Sequence, residues 1–170
     1  FNRNGLLFKN LGVDGVKTGY LAVEKYSLAS SLKKDTRRLI AVGSGFDSNA
    51  ARTSQSIRLL SWGLRNTDTY EISKKNSTTF DIRSWLGKKD IIKGTTKEDV
   101  FITLSKKDSR FLKVSLDYNG PVKAPIEKDQ EIAKLNIYKK DELIRSIPVY
   151  SSEELKKVNF LKSLFLSLNY

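Results

Sequence analysis

The sequence predicts an α+β fold, in which a short antiparallel meander and one helix are followed by a small all-β region and a terminal amphipathic helix. Three observations carry this prediction: strand-length apolar runs over 13–43, apolar residues at helical spacing over 57–64, and strand-length alternations after residue 67. Hydrophobic residues make up 39% of the 170 positions, which is enough for a packed core. We therefore expect one medium domain or two small ones.

The meander consists of three predicted strands. Apolar and β-branched residues recur over Val13 to Thr18, Tyr26 to Leu32 and Arg38 to Gly43. The segment 33–36, Lys-Lys-Asp-Thr, has the polar composition of a tight turn. Because so short a connection can only reverse the chain, the strands should pair antiparallel.

One amphipathic helix is predicted directly after the meander. Asp, Ser and Asn at 47–49 are all favourable N-cap residues, and Ile57, Leu60 and Leu64 follow at helical spacing. We expect the apolar face of this helix to cover one face of the sheet. The meander and the helix together form a predicted first domain, residues 1–67.

The second predicted domain, residues 68–150, is a small all-β sandwich. Apolar residues alternate with polar or exposed ones over 100–104, 112–116 and 133–138, and 144–149 is a further apolar stretch. Several short strands at close spacing, separated by Gly, Asp, Asn and Lys, are typical of a sandwich.

The last segment, 151–170, is predicted to form an amphipathic helix. It begins with Ser-Ser-Glu-Glu, a capping sequence with acids in the first turn, and continues with an apolar stripe beside lysines. Two interpretations remain open: a helix docked on the second domain, or an interfacial helix that binds an anionic membrane surface.

Composition excludes several kinds of chemistry. The sequence contains no Cys and no His, which removes disulfides, thiolate nucleophiles, imidazole bases and nearly every zinc or iron site. Catalysis would have to use Lys, Ser, Thr, Tyr or carboxylates, and we expect neither a metal nor a cofactor. No apolar run approaches the ~18 residues that a membrane-spanning helix needs.

The chain is strongly basic, with 31 Lys and Arg against 19 Asp and Glu and a formal charge of +12. The cations are dispersed as pairs, most of them at predicted turns, rather than clustered on one element. We therefore do not expect nucleic acid as a partner. An anionic membrane surface or a cell-wall polymer suits the charge equally well.

The most informative stretch is Lys17-Thr18-Gly19, at the end of the first predicted strand. A strand edge can hydrogen-bond an extended peptide, and a glycine leaves no side chain in the way. Lys17 adds a fixed positive charge and Thr18 a hydroxyl, both suited to a ligand that ends in a carboxylate. The alternative interpretation is that Lys17 and Thr18 are ordinary turn residues.

Lys-Thr-Gly is also a signature of the penicillin-recognising serine enzymes. With its flanks, the chain resembles their D-alanyl-D-alanine carboxypeptidase branch, the low-molecular-mass penicillin-binding proteins, over nearly its whole length. The matching segments are Asn2-Arg3-Asn4-x-Leu6-Leu7, Gly12 to Tyr20, Tyr26-x-Leu28-x-x-Ser31, Arg38-Leu39-Ile40, Gly45, Arg52-x-x-x-Ser56-x-x-Leu59-Leu60-x-Trp62-Gly63, Glu98-Asp99-Val100, Ala124-Pro125-Ile126 and Ile147-Pro148-Val149.

The resemblance implies a fold and a chemistry. Residues 1–67 would be the C-terminal part of a β-lactamase-like transpeptidase domain, and a serine would form an acyl-enzyme with stem peptides ending in D-Ala-D-Ala, or with β-lactams. Lys17 would support electrostatics and proton handling, and Thr18, Gly19 and Arg52 would bind substrate. The backbone N–H of Tyr20 would supply half of an oxyanion hole.

The same resemblance implies a location in the periplasm, peripheral on the outer face of the inner membrane, and a role in peptidoglycan maturation and cell shape. It does not choose between carboxypeptidase and endopeptidase activity. A different class, a non-catalytic module that binds the cell wall or the membrane, also remains open.

The nucleophile is expected to lie upstream of the sequence, together with its Ser-x-x-Lys and Ser-x-Asn motifs. The chain begins with Phe1 and contains no Met, so we expect an upstream piece, and residues 1–66 should then expose an apolar sheet surface. Ser30 has Lys33 three residues on, but in a strand that spacing puts the two side chains on opposite faces. Leu21, Glu24 and Lys25 depart from the family pattern.

Overall fold

The computed structural model describes residues 3–35, 37–77 and 79–159, and it is mostly β-sheet with one α-helix. Within that part of the chain there are eleven strands, one α-helix and two short 3-10 helices. The chain divides into two compact units, residues 1–69 and 70–170, which we call unit 1 and unit 2. The sequence-based domain boundary lies at residue 67.

Unit 1 contains a three-stranded antiparallel sheet. Its strands are β1 (Val13–Leu21), β2 (Lys25–Lys34) and β3 (Arg37–Phe46), and their order in the sheet is β1-β2-β3. All three predicted strands are present and longer than predicted. Since β2 is central, β1 is an edge strand of this sheet.

Helix α1 (Asn49–Asn66) follows the sheet directly. Ser48 is its N-cap, and the Ser48 hydroxyl accepts a hydrogen bond from the backbone N–H of Ala51 at 3.1 Å. Of the three predicted cap candidates, Ser48 is thus the one that caps. The helix packs Leu60 into a small core, as predicted, and the buried members of that core are Leu6, Leu28, Leu32, Ala41 and Leu60.

Unit 2 is built from a six-stranded and a two-stranded sheet. Its strands are β4 (Thr67–Ser73), β5 (Thr79–Trp85), β6 (Ile91–Thr95), β7 (Val100–Ser105), β8 (Leu112–Asp117), β9 (Val122–Lys123), β10 (Glu131–Lys139) and β11 (Glu142–Ser151). The large sheet has the order β8-β10-β11-β6-β5-β9, and β4 pairs with β7.

A single apolar core holds unit 2 together. Its innermost side chains, which include Ile82, Ile126 and Ile137, are 0% exposed. Ile72 of β4 and Ile102 of β7 pack against the same cluster, so the two sheets share one core. Burying one such side chain contributes about 1.5–3 kcal/mol.

The helix predicted from residue 151 is wrong for 151–159. Ser151 ends β11, Leu155 forms a β-bridge with Ile126, and Lys157 forms one with Gly87. Leu155 is only 2% exposed, because it completes the core of unit 2 instead of lining a helix. Residues 160–170, the rest of the predicted helix, lie outside the described residues.

The Ser-Ser-Glu-Glu sequence also has a different role from the predicted cap. The Ser151 hydroxyl donates to the carbonyl of Glu153 at 2.6 Å, and the Ser152 hydroxyl donates to that of Lys93 at 2.9 Å. Both hydrogen bonds hold an extended backbone. No helix within the described ranges is long and apolar enough to cross a bilayer.

Candidate functional site

The predicted site residues Lys17, Thr18 and Gly19 lie in the middle of edge strand β1. They pair with Ala29, Leu28 and Ser27 of β2 on one side of the strand. An edge strand presents every second backbone N–H and C=O away from its neighbour, free to bond an added strand. Within the described residues, no strand pairs with β1 on its other side.

A cavity of about 750 Å³ runs along this part of β1. Its walls come from the N-terminal segment, β1, the start of β2 and the start of α1, and all of them belong to unit 1. The residues that line it are Arg3, Asn4, Val16, Lys17, Thr18, Gly19, Tyr20, Tyr26, Asn49 and Arg52. Three of these are cations and none is a carboxylate, so the described lining favours an anion.

Arg52 is a buried cation in the first turn of α1. It is 3% exposed, and its Nη2 donates to the carbonyl of Arg3 at 2.7 Å and to Oδ1 of Asn49 at 2.6 Å. Its guanidinium also lies 5.6 Å from the centre of the Tyr26 ring. A solvated surface arginine would not be buried in this way.

The partners of Arg52 leave its charge uncompensated. Within the described residues these partners are a carbonyl, an amide and an aromatic ring, and no carboxylate forms an ion pair with it. A buried cation without a counter-ion is costly. An anionic ligand in the cavity would supply the missing charge.

Two aromatic residues support the wall beneath Arg52. The rings of Tyr20 and Tyr26, which pair across the β1–β2 hairpin, have centroids 4.8 Å apart at an interplanar angle of 52°. Tilted aromatic pairs of this kind contribute about 0.5–1.5 kcal/mol beyond simple burial. Tyr26 therefore contacts both the edge strand and the guanidinium.

Lys17 is exposed, and its Nζ donates to the carbonyl of Thr18 at 3.1 Å. Alternation along the strand puts the Lys17 and Thr18 side chains on opposite faces, but both border the cavity because β1 is at the edge. Gly19 has a structural reason to lack a side chain as well: a Cβ atom there would collide with the hydroxyl of Ser27.

The structure thus brings all five predicted site residues, Lys17, Thr18, Gly19, Tyr20 and Arg52, to one cavity. Sequence reasoning missed Tyr26, Asn49 and the carbonyl of Arg3. The three-residue spacing of Asn49 and Arg52 on a helix was an available signal. The Tyr26 and Arg3 contacts join segments that are distant in the chain, and no local pattern shows them.

The serines that match Ser-x-x-Lys are buried in a strand and hydrogen-bonded. Ser30 is 0% exposed and donates to the carbonyl of Ala41 at 3.1 Å, whereas Lys33 is exposed. Ser31 has the same spacing to Lys34, which we did not consider from sequence, and its buried hydroxyl accepts from Arg38. Both serines lie in β2, as predicted for Ser30. A Ser-x-Asn match at 167–169 lies outside the described residues.

The turn after Tyr20 contains Lys25, one of the departures from the family pattern. Lys25 has a φ of 57°, in the left-handed region that favours glycine. Its Nζ pairs with Asp47, and this hydrogen bond is the main reason why the pKa of the Asp47 carboxyl is lowered.

The described residues contain no group of three or more His, Cys, Asp or Glu side chains that could hold a metal. An edge strand, a buried arginine and a cationic cavity define the candidate site. These features describe a class of site that binds an extended, anionic ligand.

Comparison with known proteins identifies the family. The model of the penicillin-binding protein 5 C-terminal domain matches residues 68–157. The D-alanyl-D-alanine carboxypeptidase DacF of Bacillus subtilis is 34% identical over 164 residues, 96% of this chain and 42% of that protein. The carboxypeptidase DacA of Escherichia coli K12 is 31% identical over 161 residues, 94% of this chain and 40% of that protein.

Solved structures agree with these matches. Penicillin-binding protein 5 of Haemophilus influenzae superposes with a TM-score of 0.75 at 30% identity, over 92% of this chain and 46% of that one. The carboxypeptidase DacD of Francisella tularensis superposes with a TM-score of 0.65 at 32% identity, over 92% and 39%. The chain therefore belongs to the penicillin-binding protein 5 family of D-alanyl-D-alanine carboxypeptidases, and it spans about two fifths of the length of the curated relatives it matches.

Proposed function

We propose that the chain forms the substrate-binding wall of a serine-type D-Ala-D-Ala carboxypeptidase. The observation that carries the proposal is the cavity in which the free edge of β1 meets a buried Arg52 without a carboxylate partner. A stem peptide that ends in D-alanine is extended and has a terminal carboxylate, so it matches both features. The named activity of the relatives supports the same assignment.

In this proposal each site residue has a defined role. The peptide adds to the edge of β1, and Gly19 allows its close approach. The Thr18 hydroxyl and the Arg52 guanidinium bind the terminal carboxylate, the latter through up to two hydrogen bonds. Lys17 supplies positive potential and assists proton handling.

The chemistry is acyl transfer by a serine that this chain does not supply. The serine oxygen attacks the carbonyl carbon of the penultimate D-alanine, and the terminal D-alanine leaves with a proton on its amine. Water then adds to the ester carbonyl and releases the shortened peptide and the serine. The backbone N–H of Tyr20 and that of the serine stabilise the oxyanion in both steps.

Substitution of Arg52 in the complete protein tests the carboxylate site. Arg52→Ala should lower kcat/KM on a D-Ala-D-Ala peptide by about one to two decades, since a charge-assisted hydrogen bond is worth about 1.5–3 kcal/mol. Arg58→Ala, an exposed position on the same helix, is the matched control. An unchanged rate in Arg52→Ala would leave Arg52 with a structural role alone.

Because Arg52 also bonds within unit 1, its effect on folding must be separated from its effect on binding. Thermal unfolding of Arg52→Lys supplies that readout. Lysine keeps the charge but cannot bind the carboxylate through a planar fork, so we expect a folded variant with reduced kcat/KM.

Labelling with a fluorescent penicillin tests the location of the nucleophile. We propose that residues 1–170 alone remain unlabelled, because Ser30 and Ser31 are buried in β2 and hydrogen-bonded. The complete protein should label, and penicillin should block its carboxypeptidase activity. A covalent adduct on the 170-residue chain would contradict this assignment.

The proposed location is the periplasm, with residues 160–170 binding the outer face of the inner membrane. Sedimentation with anionic vesicles tests this location by comparing the full chain with a chain truncated after Asn159, which keeps Leu155 in the core of unit 2. Less sedimentation of the truncated chain with anionic vesicles would support the proposal; equal sedimentation would refute it.

A non-catalytic module that binds the wall or the membrane is the second candidate. The large core of unit 2, separate from the cavity of unit 1, favours it. Determination of the upstream reading frame decides between the two. Ser-x-x-Lys followed by Ser-x-Asn supports the enzyme, and absence of both supports the module.

A further inference from the structure

A basic and apolar surface lies at one end of the large sheet of unit 2, far from the cavity residues in sequence. It is formed by residues 106–114, at the start of β8, and residues 139–144, at the β10–β11 hairpin; we call it the basic tip. Its two segments are in direct contact, because the N–H of Lys140 donates to the carbonyl of Phe111 at 3.0 Å.

The basic tip concentrates positive charge. Its cations are Lys106, Lys107, Arg110, Lys113, Lys139 and Lys140, and its acids are Asp108, Asp141 and Glu142. Among these groups Lys139 and Asp108 form an ion pair at 4.0 Å. Lys107, Arg110 and Lys140 are exposed. The surface therefore carries an excess of cations that face solvent.

The basic tip also exposes apolar side chains. Phe111 is 37% exposed, Val114 41%, Leu143 50% and Ile144 40%. Among the described residues of unit 2 only Ile91 and Phe101 are comparable large hydrophobics, so most such exposure is at this end. The register puts Leu143 and Lys113 in one row across β11, β10 and β8, so this apolar side chain and a lysine share one face of the sheet.

The exposed Phe111 lies among cations at a hydrogen-bonded turn. Arg110 lies 4.7 Å and Lys140 5.3 Å from the centre of its ring. The backbone N–H of Phe111 donates to the carbonyl of Asp108 at 2.9 Å, and that of Asp108 to the hydroxyl of Ser105 at 3.0 Å. The turn thus presents an aromatic ring and its neighbouring cations together.

We propose that the basic tip docks on the surface of a bilayer that contains anionic lipids. Apolar side chains surrounded by lysines and arginines match the boundary between acyl chains and phosphate headgroups. Cations alone would suit any polyanion, and apolar side chains alone would suit a protein. Their combination favours the bilayer, because it provides an apolar layer directly beneath a layer of negative charge.

This contact is separate from the one proposed for residues 160–170. Strand β11 runs from the basic tip at Glu142 to Ser151, which at ~3.3 Å per residue is about 30 Å. The segment that leads to the C-terminus starts at that other end. Two such contacts would strengthen attachment, since stable anchoring generally needs two signals.

Vesicle sedimentation of full chains tests the proposal against a matched control. Lys107→Gln/Lys140→Asn removes two tip cations, and asparagine suits the φ of 57° at position 140. Lys88→Gln/Lys128→Gln removes two exposed cations near the other end of β11. We expect the tip variant to bind anionic vesicles about 30-fold more weakly than the wild type, from roughly 1 kcal/mol per cation, and more weakly than the control variant.

Each variant is measured in two full-length backgrounds, the natural one and one with Leu161, Leu164 and Phe165 changed to Ser. The second background separates the basic tip from the C-terminal segment. If the C-terminal proposal fails, binding in the two backgrounds is equal. If the tip proposal fails, tip and control variants bind equally in both backgrounds, and that result overturns it.

Substitution of Leu143 distinguishes a bilayer from a soluble polyanion. Leu143→Ser should weaken binding to anionic vesicles and leave binding to heparin unchanged, while the tip charge variant weakens both. Unchanged vesicle binding by a folded Leu143→Ser chain would overturn the bilayer as the ligand and indicate a polyanion site instead. Thermal unfolding of each variant establishes that it is folded.

Discussion

Unit 1 and unit 2 differ in how much of their apolar surface they bury. In the described part of the chain, the core of unit 1 has five buried residues and that of unit 2 has twelve. The outer face of the unit 1 sheet leaves Ile40 and Val42 69% and 72% exposed. Unit 2 therefore has the larger apolar core. Unit 1, which carries the candidate site, has a small core and leaves apolar side chains of its sheet exposed.

The two units also use charge differently. The cations Arg3, Lys17 and Arg52 converge on one cavity in unit 1. In unit 2 the cations at the basic tip surround exposed apolar side chains. One buried and two exposed cations around a cavity suit a single anionic group, whereas exposed cations among apolar side chains suit an extended anionic surface.

The largest predicted effect is on the core of unit 2. Ile137→Ala should lower the free energy of unfolding by about 2–5 kcal/mol, because the enclosed site cannot collapse around the cavity. Unfolding of unit 2 is measured by Trp85 fluorescence in a Trp62→Phe background. Unfolding of unit 1 is measured by Trp62 fluorescence in a Trp85→Phe background. Leu60→Ala should lower the free energy of unfolding of unit 1 by less, since the core of that unit is smaller. An equal or larger cost at Leu60 would contradict the difference between the cores.

The sequence predicted the parts of the fold that local patterns determine. Strands β1 to β3 and helix α1 were located because alternation, turn composition and an N-cap are local signals. Strands β4 to β6 were not located, because they are short or polar and Ile92 is buried only through contact with other strands. The helix at 151–159 was wrongly predicted because the β-bridges of Leu155 and Lys157 with distant residues outweigh local helical spacing.

The candidate site shows the same division. Lys17, Thr18 and Gly19 were recognised from three adjacent letters and their flanks. That Arg52 is buried and that Tyr26 lies beside it depend on the meeting of α1 with the start of β2, whereas the hydrogen bond to Asn49 follows from the three-residue spacing within α1. No sequence spacing encodes that meeting.

Gly19 offers a test of whether unit 1 residues serve structure or substrate. Gly19→Ala should cost about 1 kcal/mol of stability, because the new Cβ forces the Ser27 hydroxyl into another rotamer. Ser27→Ala in the same chain should restore that stability, as measured by urea unfolding. If Gly19 is also needed for the close approach of the substrate, acylation by penicillin stays low in the complete protein that carries both Gly19→Ala and Ser27→Ala. Full recovery of acylation would limit Gly19 to the structural role.

A smaller effect is expected at the turn between β1 and β2. Lys25→Gly should raise the free energy of unfolding by up to about 1 kcal/mol, because glycine adopts a φ of 57° without strain. Lys34→Gly, within β2, should instead lower it, since glycine weakens a strand. Destabilisation by Lys25→Gly would mean that the contact of Lys25 with Asp47 outweighs the backbone strain.

The smallest predicted effect is a pH dependence on the exposed face of the unit 1 sheet. Hydrogen bonds from Arg38, whose Nη1 lies 2.8 Å from the Asp14 carboxylate, and then from Ser31 hold the pKa of Asp14 below its usual value. A carboxyl whose pKa is lower in the folded state stabilises the fold at pH above its unfolded pKa, and this stabilisation is lost as the pH falls through the folded pKa. The difference in unfolding free energy between wild type and Asp14→Asn should therefore be constant from about pH 7 to 5 and shrink below about pH 4. Asp90→Asn, at an exposed position with no ion pair among the described contacts, gives the baseline for the same urea titrations. A difference that grows on acidification would contradict the predicted sign and would mean that Asp14 opposes folding when it is charged.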